Sequence, residues 1–482
     1  MSARHLLARA ARGTRAAALA AVMVVGGLGA AAGGAHAQSG TLPPPTRPDA
    51  PPPSAEPTRV IVPRPPTATA ADTNTQGFSV SGVYVILRRV RANNVVAANL
   101  YLLGGTRQVP VARAGMEPLL LAASERGTAK YPRDQLRTTM ARLGSIIGID
   151  ADRDWTTFAL RSTVSTFDST WSVFADRLMR PALDSAEVEL VRAQAVSAVR
   201  QRRDSPDAQL EFLADSVAFS GHSYAVPPGG TEASLSAVTL AELRRYQQEQ
   251  MITSRMLLVV VGDVSREQVQ RLVSGTLGTL PHGRYRWTPP PPPPAWTPAI
   301  ATERRDLPTN YLLGYFPGAA AWSPDYFPLR IAAAVLSGRF FSEIRSKRNL
   351  SYAVNAPFLD RATAAAGLYV TTTDPRTTLR LMREELYNLQ EGWITPRGLE
   401  QLTQQFITEY FLDNETNADQ ANFLARAQLY RGDWRRAAAF VDELRAVTPT
   451  DVRRVARQYL RGLRLAYVGD PTRLDEGVLR MF

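Results

Sequence analysis

Hydrolytic metal chemistry needs about three protein ligands, drawn from His, Cys, Asp and Glu, with an open position left for water. This chain has no cysteine and four histidines: His5, His36, His222 and His282. The first two fall in an N-terminal segment with the character of a leader. The other two stand 60 residues apart, so no histidine pair occupies positions i and i+4 on one helical face. Both read as structural residues. Glu117 and Glu125 flank the apolar run Pro118-Leu-Leu-Leu-Ala-Ala123 and read as solvated carboxylates at the two ends of a helix. No zinc hydrolase site of the usual kind can be assembled from this inventory, and a site built from Asp and Glu alone has nothing to recommend it.

The elements that would position any chemistry are ordinary globular ones. At 482 residues the chain is long for a single core, and 45% apolar with 21% charged residues is the composition of folded domains. The formal net charge is +12, of which Arg4, Arg9, Arg12 and Arg15 belong to the leader, leaving about +8. Lys and Arg are scattered along the remainder, which argues against nucleic-acid recognition.

An Arg-bearing start, an Ala/Val/Gly-rich stretch from Ala16 to Ala32 and the sequence Ala35-His36-Ala37 read as a secretory signal covering 1–37, with the mature chain starting near Gln38. The expected location is therefore exported, periplasmic or extracellular, with no stable membrane span after signal removal. Residues 38–74 are rich in Pro, Ala and Thr and read as a disordered, polyproline-like tether. A second proline block in 286–300 reads as a stiff interdomain linker between folded domains at 75–285 and 301–482.

Those two parts repeat each other. Val238-Thr-Leu-Ala-Glu-Leu-Arg-Arg245 leads into Val259-Val-Val-Gly-Asp263, and Val447-Thr-Pro-Thr-Asp-Val-Arg-Arg454 leads into Leu465-Ala-Tyr-Val-Gly-Asp470, at offsets of 209 and 207. A weaker match at offset 210 pairs Pro118–Ala123 with Pro328–Ala333. Thr239 and Thr448 suit helix N-caps, and the apolar run before Gly-Asp reads as a buried strand. Strands are expected near Val83–Arg88, Asn94–Leu103, Trp155–Ser162, Tyr311–Phe316, Tyr352–Leu359 and Gly367–Thr373, with helices near Pro118–Glu125, Thr170–Leu178 and Ala186–Arg203. The fold class is α+β, in two tandem units related by duplication.

The segment Gly115-Met-Glu-Pro-Leu-Leu-Leu-Ala-Ala-Ser-Glu-Arg-Gly-Thr128 resembles the frame of the insulinase or pitrilysin peptidases: Gly-x-x-His-x-x-Glu-His, an apolar stretch, then Gly-Thr. Further resemblance lies in Gly221-His-Ser-Tyr-Ala-Val-Pro-Pro-Gly-Gly230, in the Val-Gly-Asp strand end, and in Phe341-Ser-Glu-Ile-Arg-Ser-Lys-Arg-Asn-Leu-Ser-Tyr-Ala-Val354, where Asn349 replaces a usual glycine. The resemblance implies two homologous domains, each a mixed or antiparallel sheet with helices packed on it, forming a clam-like chamber for an unfolded peptide. It places the metal ligands and general base at Pro118, Leu121, Ala122 and, counting to the helix before Asp204-Ser-Pro206, Ala198. All four are apolar, so no catalytic or metal residue is expected in this chain.

The same resemblance places a substrate-holding pair at Arg345 and Tyr352, a guanidinium and a phenol suited to donate to a peptide carbonyl or an oxyanion. It implies an inactive subunit that pairs with a zinc-bearing insulinase-family homologue. Zinc would sit in that partner, and this chain would contribute peptide-binding residues to a heterodimeric metallopeptidase. The alternative is a stand-alone peptide-binding or scaffold protein without peptidase activity.

Overall fold

The computed structural model describes residues 74–293, 296–392, 394–475, 477, 480 and 482, so the expected signal segment 1–37 and nearly all of the expected tether 38–74 lie outside the described residues. The first half runs β1 (Thr75–Val80), β2 (Val83–Arg89), β3 (Val95–Leu103), α1 (Met116–Ala123), α2 (Arg133–Leu143), β4 (Ile146–Ala151), β5 (Trp155–Thr163), α3 (Phe167–Met179), α4 (Ser185–Asp204), α5 (Pro206–Ala218), α6 (Glu232–Ala237), α7 (Leu240–Gln250), β6 (Met256–Gly262) and α8 (Arg266–Ser274). The second half runs β7 (Ala299–Arg304), β8 (Asn310–Ala320), α9 (Tyr326–Phe340), β9 (Val354–Asn355), β10 (Phe358–Leu359), β11 (Thr363–Thr372), α10 (Pro375–Glu391), α11 (Pro396–Asp413), α12 (Asn417–Arg431), α13 (Phe440–Arg445), α14 (Pro449–Tyr459) and β12 (Arg464–Gly469).

The strand order β1-β2-β6-β3-β5-β4 in the first sheet is matched in the second by β7-β12-β8-β11-β10. Within each, one strand pairs parallel on one side and antiparallel on the other: β6 lies parallel to β2 and antiparallel to β3, and β12 lies parallel to β7 and antiparallel to β8. Thr239 and Thr448 each close a capping box, with Glu242 and Asp451. Gly262 and Gly469, the glycines of the two Val-Gly-Asp ends, share a φ of +154°. A Cβ there would meet Val95 O at 2.9 Å in the first half and Asn310 Oδ1 at 2.3 Å in the second. The duplication is thus a repeat of backbone geometry as well as of residues.

The central strands of each sheet are buried on both faces, and period-2 alternation divides their side chains between two cores. In β6, Met256, Leu258 and Val260 join Val83, Val85, Leu100, Trp171, Phe174 and Leu243 in a core made within the first half. Leu257, Val259 and Val261 point the other way and join Tyr101, Trp155, Leu424 and Leu429. The covering helix on that side is α12, from the second half. The exchange is reciprocal: Leu210, Ala214 and Ala218 of α5 cover Leu313, Tyr315, Ala466 and Val468 of the second sheet. The two halves therefore form one compact unit, with α5 and α12 between the sheets. Burying a leucine on such a helix stabilises the pairing by about 1.5–3 kcal/mol.

The proline block is fastened along its described length. Trp287 donates to Leu429 O at 3.0 Å, both Arg107 Nη atoms donate to Thr288 O at 3.0 Å, and His222 Nε2 bonds Pro291 O at 2.9 Å. Trp296 meets Phe219 edge-on, with the Arg464 guanidinium over its ring. The segment is a strap sewn to both halves.

Candidate functional site

Helix α1 begins where Gly115 adopts φ +87°; a Cβ there would meet Gly229 O at 2.8 Å, so only glycine fits. At the other end Gly127 has φ +145°, and Thr128 closes a turn through its N–H to Tyr131 O (2.9 Å) and its Oγ1 from Tyr131 N (3.0 Å). The surviving parts of the frame are those the backbone requires. Pro118 is the third residue of α1, where its missing N–H removes no intrahelical bond; the first such bond runs from Leu119 N to Gly115 O.

Pro118 and Ala122 are half-buried and four residues apart, on one face of α1, whereas Leu121 is fully buried in the core of the first half. Ala198 lies exposed on α4, which packs on α1; Ala122 joins Ala195 and Val196, just before Ala198, at the edge of the same core. The structure thus brings α1 and α4 together as the frame requires, but none of the four side chains offers a lone pair. Among the described residues no group of three or more His, Asp and Glu is placed to hold a metal ion. The residues present do not fit zinc.

Glu117 differs from the sequence reading. It is 3% exposed, accepts from Arg255 Nη2 and Tyr246 Oη at 2.8 Å each, and faces inward between α7 and the start of β6. Arg255 is fully buried and also donates to Leu103 O and Gln250 O. Burial pulls its pKa down, and the Glu117 carboxylate overrules that and holds it above the ordinary value. Burial, with Glu117 alongside, pushes the Tyr246 hydroxyl well up. The sequence misplaced Glu117 because its partners lie 129 and 138 residues away. Glu125 is solvated as read, its side chain 69% exposed and 3.9 Å from Arg177.

Arg345 lies on a π-helical turn, Phe341–Ser346, that continues α9. Its guanidinium sits 4.9 Å from the Phe341 ring centroid and forms no ion pair among the described residues. Tyr352 is 81% exposed. It occupies a bend before β9, whereas the sequence suggested a strand over Tyr352–Leu359; that stretch divides into β9 and β10. The intervening segment is rigidly held: Asn349 N donates to Arg345 O, Leu350 N to Ile344 O, and Thr372 Oγ1 to Leu350 O. Lys347 and Arg348 both close on Glu343. Asn349 takes φ +52°, which explains how asparagine stands where glycine is usual. Neither Arg345 nor Tyr352 is hydrogen-bonded to α1 or α4 among the described residues.

His222 and His282 are structural. His222 Nδ1 accepts from Tyr224 N at 3.2 Å while Nε2 holds Pro291 O, and burial keeps the imidazole pKa below its ordinary value. His282 Nδ1 is 3.1 Å from Thr253 Oγ1.

Two buried acids joining the halves escaped the sequence reading. Asp154 Oδ2 accepts from Tyr224 Oη of the first half (2.7 Å) and Tyr430 Oη of the second (2.8 Å); burial raises its pKa. Asp215, on α5, accepts from Arg361 at 2.9 and 3.2 Å and from Arg153. Burial alone would raise its pKa, but the two guanidiniums bring it below the ordinary value. A signal existed: Asp152-Arg153 and Asp360-Arg361 recur at offset 208, each just before the equivalent strands β5 and β11.

The chain matches two family descriptions, "Insulinase (Peptidase family M16)" over residues 84–228 and "Peptidase M16 inactive domain" over residues 237–406. It is 20% identical over 385 residues to an uncharacterized zinc protease of Bacillus subtilis, covering 78% of this chain and 93% of that protein. It is 22% identical over 416 residues to the mitochondrial-processing peptidase subunit beta of Blastocladiella emersonii, covering 80% and 86%. Its fold superposes on a crystal structure described as the peptidase M16 inactive domain from Pseudomonas fluorescens, with a TM-score of 0.75, 20% identity, and 82% and 98% of the two chains covered.

Proposed function

Because the chain belongs to the insulinase (M16) peptidase family and lacks its metal-binding motif, we propose that it is the non-catalytic subunit of a heterodimeric metallopeptidase, paired with a zinc-bearing homologue. The carrying observation is a contrast within one chain. The ligand positions Pro118, Leu121, Ala122 and Ala198 are apolar, whereas Tyr352 is exposed and Arg345, half-buried against Phe341, stands with it on a hydrogen-bonded segment. A scaffold has no chemical need of such a pair. Arg345 and Tyr352 would hold the peptide carbonyl or the developing oxyanion at the partner's zinc.

Two further features favour a peptide-handling subunit. Helices α5 and α12 fill the space between this chain's two sheets, which supports the reading that a peptide chamber would need a second chain. Strand β4 is a sheet edge beside α1, paired among the described residues only with β5, with Ile146 58% exposed; an extended peptide can add to such an edge by main-chain hydrogen bonds. One relative is named as the beta subunit of a mitochondrial-processing peptidase, which supports a subunit role here. We place the subunit in the periplasm or outside the cell, on the signal-like residues 1–37.

The test is reconstitution with a His-x-x-Glu-His homologue recovered by pull-down from the same cells, assayed on an unfolded peptide with and without chelator. Activity is expected only in the mixture and only without chelator. Arg345→Ala is expected to lower kcat/KM by about 10²–10³-fold, the range for losing one oxyanion donor. Normal turnover by that mutant complex would overturn the role of Arg345, and recovery of this chain alone would favour the binding-protein alternative.

A further inference from the structure

The proline strap and the junction between the halves are linked through one titratable side chain. His222 caps the turn Ser223–Ala225, where its Nδ1 accepts from Tyr224 N at 3.2 Å, and its Nε2 lies 2.9 Å from Pro291 O on the strap. A ring nitrogen that accepts from an N–H carries no proton of its own, so the imidazole is neutral and its single N–H is directed at Pro291 O. Tyr224 meets the His222 ring edge-on, with centroids 4.6 Å apart. The Tyr224 hydroxyl donates to Asp154 Oδ2 at 2.7 Å, the oxygen that Tyr430 of α12 reaches at 2.8 Å. The strap in turn holds α12 through Trp287, which donates to Leu429 O at 3.0 Å. His222 thus stands in a continuous run of contacts: strap, turn, Asp154, α12 and strap again.

Protonation breaks this run at a defined atom. A proton added to Nδ1 faces the Tyr224 N–H, so two donors oppose each other and the amide loses its acceptor. The neutral ring satisfies the turn and the strap together; the imidazolium, with two donors, satisfies only the strap carbonyl. Of the charged groups around the ring, Asp154 favours the imidazolium, whereas Arg107 and Arg361 oppose it. Phe219 and Tyr224 present ring surfaces to it, with centroids at 6.2 and 4.6 Å. Asp154 is itself faced by the Tyr224 and Tyr430 hydroxyls, Asp152 and Arg107. The balance, led by burial, holds the imidazole below its ordinary value, so the change falls on the acid side of about pH 6.5.

We propose that His222 is an acid-operated latch: protonated at Nδ1, it releases the Ser223–Ala225 turn and loosens the attachment of α12 and the strap to the first half while both sheets stay folded. Tyr224 is the link, because the amide that loses its acceptor and the hydroxyl that holds Asp154 belong to the same residue. The consequence is a junction between the halves whose tightness follows the acidity around the protein. The inference uses no residue of α1, α4 or the Arg345 segment, and its failure would leave the proposed pairing untouched.

Amide hydrogen exchange of the full chain tests it, read by mass spectrometry on peptides covering the turn, the strap, α12 and β6, from about pH 7.5 to about pH 5. Rates are divided by those of the unfolded chain at each pH, which removes the intrinsic dependence of exchange. Below about pH 6.5 the turn is expected to exchange about tenfold faster, with α12 and the strap following and β6 still protected. His222→Gln, which keeps a donor for Pro291 O and an acceptor for Tyr224 N, is expected to abolish the step. His282→Gln, which alters the other imidazole among the described residues, is expected to leave it in place. Arg107→Gln removes a positive charge that opposes the imidazolium, together with the hold on Thr288 O, and is expected to move the step to higher pH. The natural chain and Arg107→Gln decide the matter even where His222→Gln fails to fold. No step in the natural chain, a step that persists in His222→Gln or vanishes in His282→Gln, a step that Arg107→Gln does not raise, or loss of β6 protection together with the turn would overturn the proposal.

Discussion

Substituting Glu117 separates two incompatible descriptions of α1. If the carboxylate were solvated, Glu117→Ala would shift stability by no more than about 0.5 kcal/mol. In the fold it accepts from Arg255 and Tyr246 at 2.8 Å each, with Arg255 fully buried. Removing it leaves a guanidinium in the interior without its carboxylate, held by two backbone carbonyls, Leu103 O and Gln250 O, and lying over the Tyr285 ring. Breaking a buried pair on one side costs about 3–5 kcal/mol. Glu117→Gln keeps an acceptor and loses the charge, so its effect should be smaller, about 1.5–3 kcal/mol. Replacing both partners, Glu117→Leu with Arg255→Met, removes the uncompensated charge and should recover most of the loss. Urea unfolding followed by the fluorescence of buried Trp155 and Trp171 measures all four chains. A Glu117→Ala chain as stable as the natural one, or a double variant less stable than Glu117→Ala, would refute the buried-pair argument.

Leu424→Ala, on the exchanged helix α12, should cost about 2–5 kcal/mol. It should speed amide hydrogen exchange in β6 of the first half, and faster exchange confined to the second half would contradict the reciprocal packing. Gly469→Ala should destabilise by about 1–3 kcal/mol, because φ is +154° and the added Cβ would meet Asn310 Oδ1 at 2.3 Å; an unchanged Tm would refute the strain. His222 is held below its ordinary pKa, chiefly by burial, so the unfolded chain takes up the proton first as pH falls. Its contribution is therefore fully present above about pH 6.5, is lost as pH falls from there to the folded-state value, and is flat below. His222→Gln, which retains a donor for Pro291 O and an acceptor for Tyr224 N, should flatten that part of the stability profile; an identical slope in both chains would count against it.

What the sequence disclosed was local or repeated. Thr239 and Thr448 are caps because the acid that completes each box stands three residues on. The Val-Gly-Asp ends are legible because an all-apolar run stops at a glycine, and the fold needs that glycine twice. The tandem α+β architecture followed from three such landmarks at nearly constant offset. Strand β4 was missed because Ile146-Ile-Gly-Ile-Asp-Ala151 is short, carries a glycine and is only partly buried, leaving a weak period-2 signal. Glu117 and Asp215 were missed for another reason: their meaning depends on Arg255 and Arg361, which only the tertiary fold brings near.

The same distinction explains what this chain has kept. Gly115, Gly127 and Thr128 answer to backbone geometry, so they are needed whether or not α1 holds a metal. Pro118 and Ala122 answer to chemistry alone, and the fold accommodates them without a lost hydrogen bond or a clash. Arg345 and Tyr352 fall in neither class by their contacts: one touches a phenyl ring and the other is largely in solvent, so packing does not require them. The segment that carries them is nevertheless braced by Asn349 N, Leu350 N and Thr372 Oγ1, and by the Glu343 ion pairs. A hydrogen-bonded support beneath two side chains with little internal work is what the proposed contact outside this chain would require, and Arg345→Ala tests that proposal.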